Sequence, residues 1–324
     1  MEDRKSKEPF IWGALLHLGM NMWDDHKAPR LPIRDFLQCD DHVWHDVTQA
    51  MHDVGMNMVV IDLGEGMEFK KHPELAVKGT WPQEKLQREL ERLRGLGLEP
   101  IPKLNFSSHH DAWLGEYQFM LSTPEYYKVV EDVIDEAIGV FGKPRLMHLG
   151  WDEEENYEIQ KKRELVLMRQ RELWWHDYLF TVNEVEKRGV RAWTWGDHAH
   201  GKWDEWRSHC PKSVLISNAY YGRTFRVENA DVGYAKPEIQ TYHELEKGGY
   251  DQIPCGTNWV PGYYKARHLK ANDVNFPLTV MECRRIISPS RLKGFLIAPW
   301  EVTDAKRREW LLHAVDLVGQ SMKI

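Results

Sequence analysis

Short apolar runs alternate with longer, largely polar segments along the whole chain. The runs occupy 10–17, 57–63, 98–104, 145–150, 190–195, 213–219, 251–257 and 294–300. Each is nearly continuously apolar, the pattern of a parallel strand covered on both faces. Between them lie helical periods. Over 82–96, Leu86, Leu90 and Leu93 recur at helical spacing, and Gly95 and Gly97 act as stop signals. A second helix is expected over 123–142, with Thr123 as N-cap and Pro124 at the first helical position. A third is expected over 160–188, ending at Gly189, and a fourth over 303–319 behind a Thr303 cap. Strand-then-helix units without a break in composition predict the α/β class and a single (β/α)8 TIM barrel spanning 1–324.

In such a barrel the chemistry sits where the strands end, at the C-terminal face. Polar residues gather at those positions: His17, Asp62 and Glu65, Asn105 to Asp111, His148 to Glu154, and Trp195 to His200. Asn218 to Tyr221, Asn258 with Trp259, and Trp300 with Glu301 complete the set.

Composition narrows the choice. The chain has 324 residues, 42% hydrophobic and 29% charged, enough to bury a large core. A net charge of −7 argues against nucleic acid or an anionic membrane as main partner. No apolar stretch approaches the ~20 residues that span a bilayer. Four scattered cysteines without a C-x-x-C pair read as reduced, buried thiols. The first apolar run reads as a strand rather than a signal peptide, so a cytoplasmic location is expected unless a leader has been trimmed. Oligomeric state is left open. Tryptophan is unusually abundant, 15 against 12 Tyr and 10 Phe, and Trp195, Trp259 and Trp300 fall at strand ends. Flat indoles suit the C–H faces of sugar rings, although a large barrel also packs many aromatics.

The densest chemistry follows strand four, where His148-Leu149-Gly150-Trp151 runs into Asp152, Glu153, Glu154 and Glu155. Glu154 and Glu155 read as the start of a helix, where acidic groups favour the positive end. Asp152 and Glu153 read as a catalytic pair. Crowding two carboxylates raises at least one pKa, as a general acid working near neutrality requires.

The segment HLGWDEE resembles the H-x-G-G-D-E signature of glycoside hydrolase family 20, the β-N-acetylhexosaminidases. That resemblance implies a barrel enzyme whose substrate supplies its own 2-acetamido nucleophile, outside the two-carboxylate scheme. It implies that Asp152 orients the acetamide and steadies the oxazolinium, while Glu153 protonates the leaving oxygen and then activates water. Further matches follow in family order. The stretch from Pro102 to His110 resembles a segment whose histidine supports the acid, so His109 or His110 takes that role. Trp195-Gly196-Asp197 resembles the family's W-x-D, and Tyr220 or Tyr221 the tyrosine that bonds the acetamido oxygen. Trp300 and Glu301 resemble the closing tryptophan and a carboxylate that holds sugar hydroxyls. No cofactor or metal is implied, and a carbohydrate is the expected partner.

The departures are specific. Trp151 replaces the second glycine and is expected to set a bulky ring beside the pair. The family's arginine after strand one is absent, and His17, Trp23, Asp24 and Asp25 stand in that region. Gly222 and Arg223 replace an aspartate beyond the tyrosine. Strand one begins near residue 10, leaving no counterpart here of the small domain that usually precedes the barrel. Three other readings compete. His109-His110-Asp111 and His198-Ala199-His200 suggest a metal-dependent hydrolase, although no H-E-x-x-H occurs. The missing arginine suggests a sugar-binding barrel without turnover. Glu301 or Asp197 as protein nucleophile would make the acetamido group unnecessary.

Overall fold

The computed structural model describes residues 9–22, 33–108, 110–154, 167–229, 235–260 and 271–324. Eight strands form its centre: β1 (Ile11–His17), β2 (Met58–Asp62), β3 (Glu99–Lys103), β4 (Leu146–His148), β5 (Arg191–Trp195), β6 (Leu215–Ser217), β7 (Cys255–Gly256) and β8 (Gly294–Ile297). They are ordered β6-β5-β4-β3-β2-β1-β8-β7. Parallel bridges Ile216↔Gln252 and Ala219↔Cys255 join the two outer strands, so the sheet closes on itself. Closure removes both edges and their unpaired backbone groups. The (β/α)8 barrel expected from the alternating pattern is present.

Eight α-helices are described around it: α1 (Asp41–Asp53), α2 (Gln83–Gly95), α3 (Pro124–Val140), α4 (Glu172–Glu186), α5 (Trp203–His209), α6 (Ala235–Gly248), α7 (Asn275–Ile286) and α8 (Arg308–Ser321). Neighbouring helices touch, and α8 packs back on α1. Leu86, Leu90 and Leu93 of α2 are fully buried, as their spacing required. Thr123 caps α3, its side chain accepting from the Tyr126 N–H. Two helix starts differ from the sequence reading. The helix expected from 160 begins at Glu172, and 160–166 lie outside the described residues. The helix expected behind Thr303 begins at Arg308, because the Thr303 hydroxyl donates to the His17 carbonyl at 2.7 Å. That bond ties the loop after β8 to the end of β1.

The strands read as continuously apolar because both faces are buried in separate layers. Ile11, Leu15, Met58, Val60, Ile101, Leu146, Trp193 and Leu296 fill the barrel interior. Ala14, Leu16, Val59, Ile61, Met147 and Ile297 face the helices. Alternation by one residue sends each set to its own side. At the C-terminal end the interior turns polar. His17 pairs in register with Asp62, Asp62 with Lys103, and Lys103 with His148. Cys210, Cys255 and Cys283 are buried free thiols, whereas Cys39 is only partly buried. Among the described residues no helix is long and apolar enough to cross a membrane.

Candidate active site

The turn after β4 distributes its side chains by backbone conformation. Gly150 has φ 73°, and a Cβ there would collide with the Asn105 side chain. Trp151 and Glu153 also lie in the left-handed region, with φ of 70° and 50°. Such conformations cost non-glycine residues ~1–2 kcal/mol each and persist where the surroundings impose them. Successive side chains consequently leave in different directions. Trp151 goes outward into the helical layer, and Asp152 comes to lie on Asn105. Glu153 projects toward solvent, with 42% of its side chain exposed.

Asp152 is 7% exposed and well supported. Asn105 Nδ2 donates to its Oδ1 at 2.8 Å, and Ser107 Oγ donates to its carbonyl oxygen. His110, 3% exposed, stands between the two acids. Its Nδ1 lies 3.2 Å from Asp152 Oδ1 and its Nε2 3.5 Å from Glu153 Oε2. Burial pushes the Asp152 carboxyl up, but His110, Lys103 and the Asn105 amide outweigh it and hold the group well below the usual range. Burial opposes a charge on His110, yet Asp152 and Glu153 raise its pKa above the ordinary histidine value.

Two raised carboxyls lie close to Asp152 and Glu153. Asp197, just past β5, is pushed far up by burial and by Asp152, Glu153 and Glu238. Glu238 is pushed up to about 8 by burial and by Glu153. Crowding therefore acts as the sequence suggested, but it falls on Asp197 and Glu238 rather than on Asp152, which has a cation beside it. Glu238 lies in the first turn of α6, far from any strand-end motif. Sequence reading missed it for that reason. Lys103 was passed over because it lies inside an otherwise apolar run, whereas Asn105 was among the strand-end polar residues without a role assigned to it.

Of the two acids read as opening a helix, Glu155 lies outside the described residues, as do 156–166. Glu154 accepts from Ser108 N at 2.8 Å and Arg169 N at 3.0 Å, and pairs with the Arg169 guanidinium at 3.2 Å. Arg169 is 1% exposed and also binds Asp177 at 2.6 Å and the Tyr126 hydroxyl at 2.6 Å. This buried pair fastens the turn carrying Asp152 and Glu153 to the start of α4.

The other sequence candidates divide. Tyr221 accepts from Trp300 Nε1 at 3.0 Å, and Trp259 meets Tyr221 edge-on at 6.4 Å. Trp300 lies 5.7 Å from the Trp195 ring and 5.9 Å from that of His17. These five form an aromatic wall across the ends of β5, β6, β7, β8 and β1. Glu301 is 5% exposed and bound by Arg307 Nε at 3.0 Å. His109 lies outside the described residues.

Two aromatic candidates are not in the wall. Trp151 is 1% exposed and donates to Thr181 Oγ1 at 3.0 Å, with Arg169 4.9 Å over its ring. Its left-handed backbone turns the indole away from the pair, so no bulky ring crowds the acids. Tyr220 is fully buried, and its hydroxyl donates to the Thr224 carbonyl at 2.6 Å. Of two adjacent tyrosines leaving a strand, one must face outward.

Of the two histidine groups proposed as metal ligands, the first includes His109, outside the described residues, and the second is engaged elsewhere. His198 stacks on Trp174 at 3.7 Å, and His200 bonds Asn218 Oδ1 at 2.7 Å. Among the described residues no three His, Cys, Asp or Glu side chains are grouped to hold a metal ion. A cavity of about 850 Å³ opens at the opposite, N-terminal end, lined by Phe10, Arg145, Arg191 and Lys293. Its cations are already engaged, Arg145 by Glu99 and both Arg191 and Lys293 by Asp251.

Comparison with known proteins returns the fold alone. No family model matches the sequence, and no curated protein does. Solved structures match well in shape at low identity. A β-N-acetylhexosaminidase from Bacteroides fragilis superposes with a TM-score of 0.60 at 15% identity, over 94% of this chain and 65% of that one. A family 20 exo-β-N-acetylglucosaminidase from Vibrio harveyi, in complex with N-acetylglucosamine, gives 0.62 at 12%, over 94% and 54%. A mutant β-hexosaminidase from Streptomyces plicatus, holding its product, gives 0.61 at 14%, over 96% and 64%. This chain thus spans between half and two thirds of the length of these three proteins. Its barrel is similar to theirs.

Proposed function

We propose that this chain is a glycoside hydrolase that removes a terminal β-linked N-acetylhexosamine with retention, using the substrate's own amide as nucleophile. One observation carries the reading: a single imidazole, His110, touches both Asp152 and Glu153 at the end of β4. The two acids differ in the way such a reaction needs. Asp152 is buried and held ionised, so it can accept the acetamide N–H and balance the cationic oxazolinium. Glu153 is the exposed partner, able to reach the glycosidic oxygen, give it a proton and later take one from water. His110 lies between them as a shared ion-pair partner and sets their relative orientation. The Tyr221 hydroxyl, positioned by Trp300, bonds the acetamido carbonyl, and Trp195, Trp259 and Trp300 pack against the sugar ring. Because the amide attacks from one face and water opens the ring from the other, the anomeric configuration is retained.

A protein nucleophile fits less well. Asp197 is pushed toward its neutral form, which is a poor nucleophile, and Glu301 is already bound to Arg307. The test is a panel of chromogenic β-glycosides with and without the 2-acetamido group, with wild type and Glu153→Gln. Cleavage confined to acetamido sugars is expected. Loss in the variant should be about 10²–10⁴-fold with poor leaving groups and smaller with good ones. Equal rates on plain glucosides, or an undiminished variant, would remove the reading.

A further inference from the structure

By strand alternation His148, the last residue of β4, shares the inward face with Leu146. It is completely buried. Its ring lies 5.0 Å from that of Trp193 and 4.6 Å from that of Trp195. Its Nδ1 accepts from the Gly150 N–H at 3.0 Å, which leaves the proton on Nε2. Nε2 itself has no hydrogen-bond partner among the described residues.

We propose that His148 is a positioning residue for the two acids, its Nδ1 holding Gly150 and thereby fixing where Asp152 and Glu153 stand relative to His110 and the aromatic wall. The inference rests on the roles given to those acids above.

Three observations support it. First, the contact is made at the root of the strained turn. Gly150, Trp151 and Glu153 all have positive φ, and Gly150 is the residue that His148 holds. Residues other than glycine stay in that region only where their surroundings impose it. Second, Gly150 is tied on every side. Its carbonyl accepts from Trp195 N at 2.9 Å, and it lies so close on Asn105 that no Cβ fits. Asn105 in turn accepts from Trp151 N at 3.3 Å and donates to Asp152 at 2.8 Å. A shift of Gly150 is therefore passed to the acids through the chain and through Asn105, and to the wall through Trp195. Third, packing alone gives no reason for an imidazole. A buried donor without a partner costs stability, and an apolar side chain of similar size would avoid that cost. What the imidazole adds is an acceptor for Gly150.

That acceptor exists only in the neutral ring. Burial, with Lys103 at the paired position of β3 opposing a second positive charge, keeps His148 neutral against the pull of Asp152. A protonated ring would turn an N–H toward that of Gly150, and the contact would become repulsive.

The experiment is an imidazole NMR titration of His110 in the full chain, with its resonances assigned by their loss in His110→Phe. Asp152 and Glu153 raise the His110 pKa above 6.5, so that midpoint reports where the two acids stand. Two variants separate acceptor from volume. His148→Asn sets an amide oxygen close to the place of Nδ1, whereas His148→Leu fills the space without an acceptor. The Leu variant should lower the His110 midpoint by about one pH unit, and the Asn variant should leave it within about 0.3 of wild type. On an aryl N-acetylhexosaminide the Leu variant should lose about 10–100-fold in kcat with little change in KM. The Asn variant should recover most of that loss. His148→Gln, whose amide reaches the place of Nε2 rather than Nδ1, replaces the Leu variant should that one not fold. A folded variant lacking the acceptor whose His110 titrates as in wild type overturns the proposal. So does an Asn variant shifted as far as the Leu one. Failure of both variants without the acceptor to fold also overturns it, since the histidine would then be structural. The titration needs no substrate, so an inactive wild-type chain would sink the proposed function while leaving this result standing.

Discussion

Replacing His110 by Phe removes a side chain that touches both acids while filling similar volume. The contacts are 3.2 Å to Asp152 and 3.5 Å to Glu153. Charge-assisted contacts of this kind contribute ~1.5–3 kcal/mol each. Both act on groups assigned to the transition state, and some of the loss is recovered as Asp152 and Glu153 relax. A net of roughly 3–4 kcal/mol remains, which corresponds to about 10²–10³-fold in kcat/KM. The pH profile carries a second signature. In wild type Asp152 is depressed, so activity dependent on its charge persists until pH falls through that low value. His110 is raised, so activity dependent on its cation is lost as pH rises through a value above 6.5. The variant should lose the alkaline limb and show an acid limb moved upward. The assay is kcat/KM on an aryl N-acetylhexosaminide between pH 3 and 9, with His110→Gln as a partial replacement for the donor. A loss below about fivefold with an unchanged profile would refute the bridging role.

Two further outcomes concern stability. Glu65 accepts from Met20 N at 2.8 Å and Asn21 N at 3.1 Å, anchoring the loop after β1, and burial raises its pKa from 4.5 to about 7. The folded state then binds the proton more tightly than the unfolded chain, so stability falls as pH rises from 4.5 to 7 and levels above. Glu65→Gln should flatten that fall and gain about 3 kcal/mol relative to wild type at pH 8, with little gain at pH 4. Parallel urea melts at the two pH values check this, and equal differences at both would contradict it. Arg169→Met leaves Glu154 and Asp177 buried without their cation and should cost about 3–5 kcal/mol. A midpoint within 0.5 M urea of wild type, roughly 1 kcal/mol, would show the pair to be dispensable.

The barrel was legible in the sequence because its signal is redundant. Eight runs buried on two faces repeat one composition, and a misread boundary in any of them leaves the others standing. The pair Asp152 and Glu153 was legible because four consecutive acids after an apolar run are costly and so conspicuous. The tertiary structure decided how that pair is partnered. His110 rather than a neighbour in sequence stands between the two carboxylates, and Asn105 reaches Asp152 from the loop after another strand. Glu238 arrives from a helix nearly 90 residues away. Backbone conformation decided direction. A positive φ at Trp151 sends its indole into the packing, and strand alternation hides Tyr220 while presenting Tyr221. Sequence periodicity records which faces are buried, since hydrophobicity acts residue by residue. Charge coupling depends on distances between strands, which exist only once the barrel has closed.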